Sequence, residues 1–102
     1  MRNIEIDASA YPTVKAFCAR LKTEIRALPG HGDSIDSFVD SMIWGAGGMS
    51  ELPPPYAVRV RGLRGGEVAA FVRELSDALH YARMERRDRK GEDIEIFIQL
   101  RK

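Results

Sequence analysis

Four carboxylates and no lysine or arginine lie between His31 and Leu52; they are Asp33, Asp36, Asp40 and Glu51. This segment has a formal charge of −4 in a chain whose total is +1, which leaves +5 for the remainder. Asp36 and Asp40 are four residues apart, which places them side by side on one face of a helix, where like charges repel. An entirely acidic face of this kind is suited to binding a positively charged partner surface.

Enzymatic interpretations of the same segment have less support. Asp36 and Asp40 could imitate a general acid–base pair or bind a hard cation, but the sequence places no nucleophile or further ligand beside them. A Ser-His-Asp arrangement would have to combine His31 or His80 with serines that the sequence does not locate. The glycines of residues 45–48 end a helix, which is the wrong polarity for a phosphate-binding loop. We therefore expect no enzyme activity, no cofactor and no metal site.

The elements that position these residues follow from the hydrophobic pattern. Alternation of apolar and polar residues predicts strands at residues 4–7, 56–61 and 94–100. Helical spacing predicts helices at residues 12–28 and 33–44, and a long third helix between Gly66 and Gly91. Each pair of strands is separated by enough chain for a crossover, so we expect a parallel sheet with right-handed connections. The predicted fold class is α/β, with three parallel strands packed against three to four helices.

The second predicted helix has two chemically different sides. Its apolar side comprises Ile35, Phe38, Val39, Met42 and Ile43. Its polar side comprises Asp33, Asp36, Ser37, Asp40 and Trp44. Asp33 or Ser34 is expected to cap the helix at its start. Trp44 stands at the end of the acidic side, and tryptophan is a common anchor in protein interfaces.

Composition predicts the class of protein and the number of domains. A chain of 102 residues with 44% hydrophobic and 30% charged residues predicts one soluble globular domain, residues 1–102. We expect no membrane span and no export signal, because no apolar run is long enough for either. A single cysteine, Cys18, lies on an apolar helix face, so a buried thiol in a reducing cytoplasm is expected.

Two other kinds of binding stay open at this point. A basic run ends the third helix, where positive charge complements the helix dipole; it could instead bind RNA through Arg83, Arg86, Arg87, Arg89 and Lys90, with Arg59 and Arg61. The near-neutral total argues against direct nucleic-acid binding. A homo-oligomer or regulatory module could also form through an apolar patch composed of Met42, Ile43, Trp44 and Met49.

The run Leu28–Gly45, LPGHGDSIDSFVDSMIWG, resembles a motif of barstar-related proteins. In that family, Leu-Pro and a glycine-containing turn precede an acidic helix with aspartates at i and i+4 and a Gly/Trp pair at its end. The closing pattern Gly-x-Asp-Ile-x-Ile-x-Ile at residues 91–98 also matches, and the resemblance covers nearly the whole chain. This chain departs from the family in a turn that is one residue shorter, with Gly30-His31 where two tyrosines are typical, and in Val39 in place of an aromatic residue. Trp44-Gly45 stands in reversed order, and the region 86–90, which carries four basic residues and one aspartate, lies near positions of family glutamates.

The resemblance implies a cytoplasmic, immunity-type inhibitor with a three-stranded parallel sheet. Such proteins cover the active site of a basic ribonuclease or related toxin, and their carboxylates take the place of substrate phosphate. Asp40 would then be the central anion of the interface and Asp36 a second one. The predicted partner-binding residues are His31, Asp33, Ser34, Asp36, Ser37, Asp40, Ile43 and Trp44. A protein-interaction or self-associating module without inhibitory activity is the alternative.

Overall fold

A computed structural model describes residues 1–45 and 52–101. Its sheet has the order β1-β2-β3, and all pairs are parallel: β1 (Arg2–Asp7), β2 (Tyr56–Arg61) and β3 (Ile96–Leu100). The described residues form three helices, which are α1 (Val14–Glu24), α2 (Ile35–Val39), continued directly by a π-helical turn (Asp40–Trp44), and α3 (Glu67–Lys90). The predicted α/β class and the all-parallel sheet of three strands are confirmed. No helix in these two ranges is long and apolar enough to cross a lipid bilayer.

The core lies on one face of the sheet. Alternate strand residues are buried, and the strand register sets Ile6 beside Val60 and Val58 beside Ile98. The helices cover this face with fully buried side chains, among them Phe17, Leu21, Phe38, Leu75 and Leu79. The opposite face of the sheet carries polar residues such as Glu5 and Gln99, which are exposed. The sheet therefore supports a single layer of helices, and α2 is held within that layer.

Helix α1 is shorter than the predicted helix at residues 12–28. It starts after Thr13, whose side chain accepts a hydrogen bond from the Ala16 amide at 3.1 Å. It ends at Glu24 because Arg26 adopts a positive φ of 58°, and the Ala27 amide donates back to the Lys22 carbonyl at 2.9 Å. This pattern of bonds is that of a Schellman ending. Apolar residues continue at helical spacing beyond residue 24, although the helix itself has ended.

The second helix also differs from its prediction over residues 33–44. Ser34 caps it, since its side chain accepts from the Ser37 amide at 3.1 Å, and α2 begins at Ile35. From Asp40 onward the turn widens, and the Gly45 amide donates to the Asp40 carbonyl at 2.7 Å, five residues back. Such π-helical turns are often found at functional sites. This one carries the second aspartate of the acidic pair.

Candidate functional site

The acidic face, defined here as Asp36 and Asp40, is presented by α2 and the π-helical turn. Both residues are exposed. Neither carboxylate forms a hydrogen bond or ion pair with any residue in 1–45 or 52–101. The other side of the same segment is anchored, because Phe38 is fully buried and its ring contacts that of Phe71 edge-on at 6.4 Å. The acidic face is thus unpaired charge on a firmly packed support.

Asp33 has a different role from the two carboxylates that follow it. It forms an ion pair with Lys22 of α1, with Nζ and Oδ1 2.6 Å apart. The same ammonium donates to the His31 carbonyl at 3.4 Å. Asp33 therefore ties the turn before α2 to α1, and its charge is already compensated.

His31 ties the same turn to the acidic segment, which is α2 together with the π-helical turn. Its Nδ1 lies 2.6 Å from the Gly32 carbonyl oxygen, and its Nε2 lies 2.8 Å from Ser41 Oγ. Because a carbonyl can only accept, Nδ1 donates to the Gly32 oxygen, and the Ser41 hydroxyl also donates to the Phe38 carbonyl at 3.4 Å. The imidazole also packs against the Phe38 ring, with centroids 4.7 Å apart. Ser41 is thus the serine beside His31 that the sequence did not locate, and its contact with the imidazole fixes the turn in place.

Gly32 packs closely against the start of α2. A Cβ added there would lie 2.6 Å from Ser37 Oγ, closer than such atoms approach in proteins. Ser37 Oγ also lies 2.9 Å from Ser34 Oγ. Ser34 and Ser37 therefore build the start of α2, and Ser37 is half-buried there.

The far end of the acidic segment is held by Arg86 of α3. Its Nη1 donates to the carbonyl of Ile43 and, at 3.4 Å, to that of Trp44. Its Nη2 forms an ion pair with Glu92 at 3.2 Å. Arg86 is thus a tether that satisfies two carbonyls at the end of a helix, where the backbone lacks partners of its own.

The prediction that Ile43 contacts a partner is wrong. Its side chain is fully buried in the core, and Met42 is buried as well. Two of the four residues of the apolar patch suggested for self-association are therefore interior, and Met49 lies outside the described residues, as does Glu51. Trp44 is half-buried and remains at the edge of the segment.

Three of the five basic side chains at the end of α3 form ion pairs within the chain. Arg83 pairs with Asp93 at 3.0 Å, and its guanidinium lies 4.3 Å from the centre of the Phe97 ring. Arg89 pairs with Glu85 at 2.8 Å, in addition to the pair made by Arg86. Arg59 of β2 lies 3.5 Å from a carboxylate oxygen of β1. These arginines have internal partners, which weakens the RNA-binding hypothesis.

Cys18 of α1 lies next to Asp33, in the turn before α2. It is buried, and its Sγ donates to the Asp33 carbonyl at 3.8 Å. Burial, with a smaller contribution from the Asp33 carboxylate, raises the pKa of the Cys18 thiol to about 11. The thiol therefore stays protonated near neutral pH and is a poor nucleophile. No group of three or more histidine, cysteine, aspartate or glutamate side chains within the described ranges could hold a metal ion.

Three residues of this site were not found by sequence reasoning: Lys22, Ser41 and Arg86. Each acts across 10 to 43 residues of chain, so spacing within one helix gives no indication of it. No protein-family model matches the chain, and no curated protein matches it.

Proposed function

We propose that this protein binds a positively charged partner protein through the acidic face and inhibits it by covering its active site. The proposal rests chiefly on the exposed carboxylates of Asp36 and Asp40, which have no counter-ion among the described residues. Two adjacent like charges raise the energy of the free protein slightly, and a cationic partner removes that repulsion.

Rigidity of the support favours tight binding. The turn before α2 is tied to α1 by Lys22 and to the π-helical turn by His31, and the other end is tied to α3 by Arg86. A surface that is already ordered loses little conformational entropy when a partner docks. His31 and Trp44, both half-buried beside the acidic face, would form the rim of the interface.

The resemblance to barstar-related proteins supports a basic ribonuclease, or a related toxin, as the partner. The carboxylates of Asp36 and Asp40 would occupy the sites where such an enzyme binds the phosphates of RNA. Electrostatic attraction would also speed association, and the association rate would fall as salt is added. This resemblance concerns the motif at residues 28–45 and the order of elements, and it remains part of the proposal.

The test is inhibition of purified small basic ribonucleases by the full chain and two matched variants. Asp40→Ala should weaken binding by more than about 2 kcal/mol, roughly thirty-fold, as expected for a charge at the centre of an interface. Glu74→Ala removes an equal charge from the exposed surface of α3 and should change the inhibition constant less than about two-fold. Failure of the wild type to inhibit any enzyme of the panel, or equal inhibition by Asp40→Ala, would show the proposal to be wrong.

A further inference from the structure

The outer edge of β3 has backbone groups that face away from the sheet. The Tyr56 amide donates to the Glu95 carbonyl at 3.0 Å, and the Arg101 amide donates to the Val60 carbonyl at 2.7 Å. In a parallel ladder, alternate residues of a strand pair with the same neighbour, so the odd-numbered residues here face β2. The outward backbone groups therefore belong to residues 96, 98 and 100.

Helix α3 reaches only part of this edge. Ser76 Oγ donates to the Ile98 carbonyl at 3.2 Å, as expected for an outward-facing group. The amides of Ile98 and Leu100 have no acceptor within residues 1–45 and 52–101. An edge strand with free donors is a template for one more strand.

A groove of about 790 Å³ lies between β3 and α3, and Ile96, Phe97 and Ile98 of the strand line it. Tyr81 and Met84 line it, and their side chains are 71% and 41% exposed. Leu100, at the end of the same strand, is 37% exposed. Three of the five large apolar side chains that are exposed in the described residues thus surround one edge.

The unpaired charge of the groove is negative. Asp77 and Asp88 line it, are exposed, and have no ion-pair partner in the described parts of the chain. The other charged side chains of the groove are compensated, because Arg83 pairs with Asp93 and Glu85 pairs with an arginine of α3. A cationic occupant would therefore find two free carboxylates.

We propose that this groove, the β3 groove, binds an extended peptide segment that carries lysine or arginine together with apolar side chains, and that the segment adds as a fourth strand beside β3. Backbone hydrogen bonds to Ile98 and Leu100 supply part of the affinity, and contacts with Tyr81, Met84 and the carboxylates supply the rest. The β3 groove shares no residue with the acidic face and does not depend on the function proposed above.

A second copy of the chain fits this edge less well. Two-fold pairing of β3 with itself uses the same surface on both copies. It would bring Asp77 and Asp88 of each copy into one interface, where like charges repel. Charge complementarity therefore favours a basic peptide.

The test uses the full chain and the labelled heptapeptide Lys-Val-Val-Lys-Lys-Val-Val, which has both kinds of side chain on each face of a strand. Its affinity is measured by fluorescence anisotropy, and the affected amides are located by NMR. Binding should shift the Ile98 and Leu100 amides and slow their hydrogen exchange. A peptide N-methylated at every interior amide should bind at least ten-fold more weakly, because the methyl groups hinder the close backbone approach that bonds to the Ile98 and Leu100 amides need and remove the peptide's own donors to the outward carbonyls of β3.

Two variants of the chain separate the β3 groove from the acidic face. Replacing both Asp77 and Asp88 with Asn should weaken the peptide at least five-fold. Replacing both Asp36 and Asp40 with Asn should leave its affinity within about two-fold. The proposal is overturned if no binding occurs up to about 1 mM peptide, if N-methylation has no effect, if the shifted amides lie in residues 33–45, or if sedimentation shows that β3 already pairs with a second copy.

Discussion

The acidic face and the basic end of α3 differ in whether their charged side chains have ion-pair partners within the chain. Between residues 83 and 90, Arg83, Arg86 and Arg89 each have a carboxylate oxygen within 3.2 Å. On the acidic face, neither Asp36 nor Asp40 has any such partner among the described residues. Three of the five basic side chains of this run are therefore neutralised within the chain, whereas both carboxylates of the acidic face are left for a partner.

The difference has a local cause in the sequence. The chain turns back after α3 with Glu92 and Asp93, which face the arginines of the helix they follow. From Asp33 to Val58 the chain contains no lysine or arginine, so the acidic segment can be neutralised only from a distance. Lys22 does so for Asp33 alone. Asp36 and Asp40 are therefore left without a counter-ion on one helical turn.

The largest change in the free energy of unfolding is expected on replacing Arg86. Arg86→Met keeps the apolar stem but removes the hydrogen bonds to the carbonyls of Ile43 and Trp44 and the ion pair with Glu92. The arginine side chain is only 12% exposed, so the free energy of unfolding should fall by about 2 kcal/mol, as for other hydrogen bonds to charged groups. Urea unfolding measures the change.

Arg89 supplies the control. Its side chain is 69% exposed and pairs with Glu85 one helical turn away, so Arg89→Met should cost no more than about 0.5 kcal/mol. Equal losses for the two variants would mean that the end of α3 is stabilised by charge in general, and that Arg86 is no specific tether.

A smaller loss of stability is expected on replacing Lys22, which neutralises Asp33. Lys22→Met breaks the ion pair with Asp33 and the hydrogen bond to the His31 carbonyl. Because both partners are partly exposed, the free energy of unfolding should fall by about 0.5 to 1 kcal/mol. The same measurement in 1 M salt should give a smaller difference. A loss that is independent of salt would indicate that packing of the lysine stem, and not its charge, holds the turn.

Much of the fold was predictable because the patterns that encode it are local. Alternation placed β2 at residues 56–61, the bounds that the structure shows, and glycine at position 91 ends α3 with a left-handed φ of 66°. The parallel arrangement followed from the length of the connections. The acidic face was predictable for the same reason, since i, i+4 spacing within one helix determines it.

The remaining features depend on contacts that spacing cannot show. The tether from Arg86 to Ile43 spans 43 residues, and the bond from His31 to Ser41 depends on how a turn folds back on a helix. The π-helical turn widens the last turn of the segment, and a constant 100° per residue cannot represent it. Ile43 was predicted to be a partner-binding residue although it lies on the apolar side of the helix, and its side chain is buried in the core.

The smallest predicted effect is the most direct test of whether the acidic face is unpaired. Asp40→Asn removes the repulsion from Asp36 one helical turn away, so the free energy of unfolding should rise by about 0.2 to 0.5 kcal/mol at low salt. Asp36→Asn should change it little, because Asp36 lies in the first turn, where relief of repulsion and loss of a favourable dipole interaction oppose each other. High salt should abolish the gain for Asp40→Asn. Destabilisation by that variant would mean that the carboxylate already has a partner within the chain, and the contrast with the paired arginines of α3 would then fail.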